Sequence, residues 1–221
     1  MTVYTAKADI PHYRQPNGSP LCGETSLKMI YGRHGIKKSI YDIRQEIKKI
    51  TGCFKGKSGN LVYELGLHLL RNNFAVEIHA WPTYGNVYAC RRYQQMNQAD
   101  LRKELTLLFK AMGRSRELQF SAMLRFMKEG GVFIPRVTQF RELRERLGGG
   151  IIVMLDTSYH NAKILPFVKN TSHYVVLGET QGRTISLLDP YYKDKVLLNK
   201  EEFLFMLYSA DATVLFVNGK K

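Results

Sequence analysis

YRQPNGSPLCGETSLKMIYGRHG (residues 13–35) places a glutamine in a loop and a cysteine at the head of an apolar-periodic run. Pro16, Asn17, Gly18, Ser19 and Pro20 are turn chemistry, so the chain cannot be helical there. From Cys22 the pattern becomes helical, with Leu27, Ile30 and Tyr31 on one face and a stop near Gly35. A second stretch, SHYVVLGETQGRTISLLDP (172–190), contains two strand-like runs. His173 heads the first, and Asp189 ends the second just before Pro190.

A thiol becomes an acyl-transfer nucleophile when it has a base, a group that orients the base, and donors for the oxyanion. Cys22, His173, Asp189 and Gln15 are of the right types for these four roles. At a helix N-terminus Cys22 would meet unpaired N–H groups and the positive end of the macrodipole, both of which favour thiolate. Gly23 allows close backbone approach, and the Cys22 N–H is a second oxyanion donor beside the Gln15 amide. Asp189 would fix the tautomer of His173. The other histidines (12, 34, 68, 79, 160) lack such a setting, with His160 the rival base, and Cys53 and Cys90 read as bystanders.

Ser39 is a plausible N-cap for a helix carrying Ile40, Ile43, Ile47 and Ile50, and Gly52 ends it. A third helix starts near Ser58–Asn60, runs through Leu61, Leu65 and Leu69, and closes at Asn72-Asn73. FAVEIHA (74–80) alternates like a strand. Residues 82–146 are strongly basic, with helical runs at Leu101–Met112, Leu118–Met127 and about 138–147, stopped by glycines. Gly148-Gly149-Gly150 follows a helix, so it is a helix stop and not a phosphate loop. IIVMLD (151–156), HYVVLG (173–178), TISLLD (184–189), KVLLN (195–199) and ATVLFV (212–217) read as strands, with a short helix from Lys200. Helices first and strands afterwards indicate α+β.

The bulk properties exclude several classes. A chain of 221 residues with 44% hydrophobic content can bury one sizeable core unaided. No run approaches the roughly 20 apolar residues of a membrane span, and the N-terminus has no apolar signal region, so the expectation is a cytoplasmic protein. Three cysteines cannot make a disulfide framework. No CxxC or HExxH spacing supports a metal, and no cofactor is expected. The net charge of +14 permits an anionic partner without naming one.

Gln15, Cys22-Gly23 with TSLKMIYGRHG after it, His173 in HYVVLG and Asp189-Pro190 in LLDPYY together resemble the papain-like clan, and more closely its C39-like peptidases in standalone form. Asp189 follows His173 by 16 residues, the interval that branch leads one to expect. LNKEEFLFMLYSADATVLFV resembles the branch's closing helix and strand. The resemblance spans roughly residues 8–81 and 137–217, and the interval from Cys22 to His173 is longer than a minimal domain needs. It implies a papain-like α+β fold over 1–221, N-terminal helices packed on a C-terminal antiparallel sheet, and the basic helical stretch at 82–136, a departure from that pattern, reads as an inserted subdomain within it. It implies a cysteine peptidase with a peptide or protein substrate and a thioester intermediate. A deamidase, transpeptidase or acyltransferase could use the same residues. The alternative is a binding module that recognises an acidic peptide or a nucleic acid through the insert.

Overall fold

The computed structural model describes residues 5–7, 9–51, 61–80, 92–112, 117–157 and 172–220. Cys53, Cys90, His160, Gly52 and the Ser58–Asn60 helix start lie outside the described residues. Three helices lead: α1 (Cys22–Arg33), α2 (Ile40–Thr51) and α3 (Val62–Arg71). The Ser39 hydroxyl accepts the Asp42 N–H (3.0 Å), which is an N-cap bond, and Ile43, Ile47 and Ile50 of α2 are buried. Asn73, at φ 64°, turns the chain out of α3 into β2 (Phe74–His79).

Next come α4 (Gln98–Met112), α5 (Glu117–Lys128), the short β3 (Val132–Ile134) and α6 (Phe140–Glu145). The last third supplies β4 (Ile151–Asp156), β5 (Ser172–Gln181), β6 (Thr184–Leu188), β7 (Val196–Asn199), α7 (Lys200–Ser209) and β8 (Val214–Lys220). An Asn199–Glu202 capping box starts α7. The strand order is β3-β2-β8-β4-β5-β6-β7, and a short N-terminal strand β1 (Thr5–Lys7) pairs with β5. The C-terminal strands are antiparallel as expected. β2 and β3 extend the sheet beyond them, and these two pair in parallel. Three residues are too few to show a period, so β3 left no mark in the sequence pattern.

The sheet separates two apolar clusters, and strand alternation assigns residues to each. In β4, Ile152 joins the cluster under α1–α3, whereas Ile151, Val153 and Leu155 join the one under α7. Leu101, Leu105, Phe120, Met123 and Phe126 of α4 and α5 share the first cluster with Leu27, Ile30 and Leu65. On the exposed side of α4 stand Arg102 and Lys103. Gly149 is required by space: a β-carbon there would sit 2.0 Å from the Val217 carbonyl oxygen.

Candidate active site

Cys22 is the first residue of α1 and is partly buried. Leu21, at the N-cap, makes no side-chain capping bond, so the first-turn N–H groups are not occupied by a cap. The helix start is pressed close to the sheet. A β-carbon at Gly23 would lie 3.1 Å from Leu65 on α3 and 3.5 Å from the Tyr174 ring on β5. Tyr174 is next in sequence to His173, so the packing that seats the α1 N-terminus also fixes it beside the head of β5. Burial, followed by the proximity of Cys22, pushes the Tyr174 hydroxyl pKa upward.

β5 and β6 are antiparallel, with Val176 opposite Leu188. Continuing that register by one residue sets Asp189 opposite Val175, and the two-residue period then puts Asp189 and His173 diagonally on one face. The two side chains meet: His173 Nε2 donates to Asp189 Oδ1 at 2.7 Å. Both are buried, with side-chain exposures of 11% and 7%. With Nε2 engaged, Nδ1 is the nitrogen left to serve Cys22, whose sulfur acts electrostatically on the same ring. Burial alone would lower the His173 pKa, but the Asp189 hydrogen bond, followed by the influence of the neighbouring Cys22, outweighs it, and the pKa is raised. The arrangement favours the imidazolium form of His173.

Gln15 is 7% exposed, and its backbone N–H donates to the Pro190 carbonyl at 2.7 Å, tying the loop to the turn after Asp189. Its side-chain Nε2 donates one hydrogen to the Ser19 carbonyl at 2.7 Å, leaving the second uncommitted there. Its Oε1 is buried and has no hydrogen-bond partner among the described residues. The fold thus joins His173 to Asp189 by side-chain contact, sets Cys22 where it acts on the His173 ring, and fastens the Gln15 backbone to the same turn.

A residue without any sequence signal also reaches the turn. His12 Nε2 donates to the Asp189 carbonyl at 2.9 Å. Its partner is a backbone atom 177 residues away, so no spacing rule could have found it.

Elsewhere, Glu77, His79 and Glu142 place potential ligand atoms within 4.8 Å of one another. Two guanidinium groups already serve these carboxylates: Arg146 Nη1 reaches Glu77 at 2.7 Å, and Arg136 Nη2 reaches Glu142 at 2.8 Å. The cluster is an ion-pair network in which cations are already present, a poor setting for a metal ion.

No protein-family model matches the chain, and no curated protein matches it. Among solved structures it superposes on a Bacillus anthracis chain described as a C39-like peptidase. The TM-score is 0.51 and the identity 13%, over 99% of this chain and 100% of that one. A double glycine motif protease from an AMS/PCAT transporter, solved with a leader peptide, aligns at TM-score 0.49 and 13% identity, over 96% and 93% of the two chains. The chain therefore has the C39-like, papain-like peptidase fold. No helix among the described residues is long and apolar enough to cross a membrane.

Proposed function

We propose that this chain is a cysteine-dependent amide hydrolase, a peptidase in the first instance, with Cys22, His173, Asp189 and Gln15 as its catalytic group. The observation that carries the reading is the His173 ring, bonded at Nε2 to a buried carboxylate and electrostatically coupled to a thiol at a helix N-terminus. In that reading His173 takes the Cys22 proton and the thiolate attacks the acyl carbon. The carbon–sulfur bond forms as the carbonyl π pair moves onto oxygen, where the Gln15 amide and the Cys22 N–H stabilise it. Collapse expels the amine, which takes the proton from His173. Water, deprotonated by the same ring, then releases the acid and frees the thiol.

Replacing water by another nucleophile turns the same steps into transfer, so the acceptor separates peptidase from transpeptidase or acyltransferase. A mixture of peptides of varied sequence, incubated with the protein and with Cys22→Ala, tests the reading by mass spectrometry. Cleavage products that vanish in the variant support hydrolysis. Products joined to an added amine would assign transfer. Deamidated glutamines would assign deamidation, and no Cys22-dependent change of any kind would refute the enzyme.

A further inference from the structure

We propose that residues 10–15 form a strap that sets the separation between the thiol helix and the carboxylate turn, with His12 as the positioning residue for Asp189. This rests on the reading of Cys22, His173 and Asp189 as an acyl-transfer site. The strap contacts three consecutive residues of the turn. His12 Nε2 donates to the Asp189 carbonyl (2.9 Å), the Gln15 N–H to the Pro190 carbonyl (2.7 Å), and Arg14 Nε to the Tyr191 carbonyl (3.2 Å). On its other side it packs on α1. The Gly32 position has no room for a β-carbon, because Pro11 Cγ lies 2.6 Å from where one would sit, and Lys28 Nζ stands 4.3 Å from the centre of the Tyr13 ring. Cys22 opens that helix, so one short segment bears on both halves of the site.

Asp189 needs such support because it lies outside regular structure, in the connection between β6 and β7. Its carboxylate is held from within, since Oδ1 accepts the Tyr191 N–H at 2.8 Å as well as His173 Nε2. Its carbonyl has a long local bond from the Tyr192 N–H, 3.2 Å, and the shorter one from His12. Among the described residues His12 is therefore the long-range side-chain hold on the Asp189 carbonyl, as His173 is on its carboxylate. A displacement of the carboxylate by about 1 Å is enough to cost a site of this kind much of its rate. The donor is Nε2–H, which the ring keeps both as the cation and as the corresponding neutral tautomer, so the hold does not depend on the charge of His12.

The test compares His12→Leu, which removes the donor, with His12→Gln, which keeps an N–H of comparable reach. The readout is the second-order rate of Cys22 alkylation by iodoacetamide from pH 5 to 9, beside wild type and His173→Ala. With its melting unchanged, His12→Leu should alkylate about fivefold more slowly at pH 6, the size of one hydrogen bond's net contribution, with its acid limb moved to higher pH. His12→Gln should recover most of the difference. If His12→Leu does not fold, His12→Asn, whose amide is too short for the same contact, takes its place. A wild-type profile in the donorless variant, or equal losses in His12→Leu and His12→Gln, would overturn the strap alone. Absence of rapid, His173-dependent labelling in the wild type would overturn the catalytic reading and the strap with it.

Discussion

Asp189→Asn keeps the shape of the turn and removes one charge. The Tyr191 N–H, at 2.8 Å from Oδ1, orients the new amide so that its oxygen still faces His173. The bond at 2.7 Å then survives as a neutral one between buried groups. A hydrogen bond to a charged group contributes about 1.5–3 kcal/mol, against about 1 for a neutral one. At 1.36 kcal/mol per unit, that loss lowers the His173 pKa by roughly half to one and a half units.

The sign follows from linkage. The folded pKa of His173 is raised above the ordinary imidazole value of 6.5. The stabilisation is therefore full below about 6.5 and is lost as pH rises through the raised value. Asp189→Asn should thus be less stable than wild type at pH 5.5, by up to about 2 kcal/mol, with the gap closing in alkali. The assay is a histidine imidazole NMR titration from pH 5 to 11, paired with urea unfolding at each end. An unchanged His173 titration would refute the argument, because the carboxylate would then not be what holds the proton.

Three further outcomes are expected. Gln15→Ala should reduce peptide turnover about 100- to 1,000-fold yet leave Cys22 alkylation near wild type, since an oxyanion donor acts only after attack; parallel losses in both would refute that role. Gly149→Ala should destabilise by at least about 1–3 kcal/mol in urea unfolding, because the added carbon overlaps the Val217 carbonyl; a neutral result would mean that the backbone there moves freely. Glu77 is raised by burial, but the His79 and Arg146 hydrogen bonds more than offset this and push it down to about 2. Its contribution is present above about 4.5 and lost as pH falls through about 2, so Glu77→Gln should flatten the acid limb of melting temperature between those values. Parallel melting curves for the two proteins would contradict it.

What could be read from the chain was carried by periodicity and by local chemistry. The isoleucines of α2, the Ser39 cap, the Asn73 turn and the strand runs of the last third each show themselves within a few residues. The pairing of His173 with Asp189 was legible because two antiparallel strands with a short connection return a 16-residue interval to the same strand end. β3 was not legible, nor was its parallel pairing with β2, since the partner is over 50 residues distant and the strand is three residues long. His12 was hidden for a different reason. It bonds to a backbone carbonyl, which has no residue identity to read.

An activated thiol at Cys22 is the centre of the proposed chemistry. The decisive experiment is its alkylation by iodoacetamide as a function of pH, resolved from Cys53 and Cys90 by mass spectrometry, in wild type and His173→Ala. Rapid labelling confined to Cys22 below pH 7, and slowed in the variant, is the predicted result. Slow labelling of all three cysteines, with a midpoint near the roughly 8.5 of a free thiol and no effect of the substitution, would contradict it.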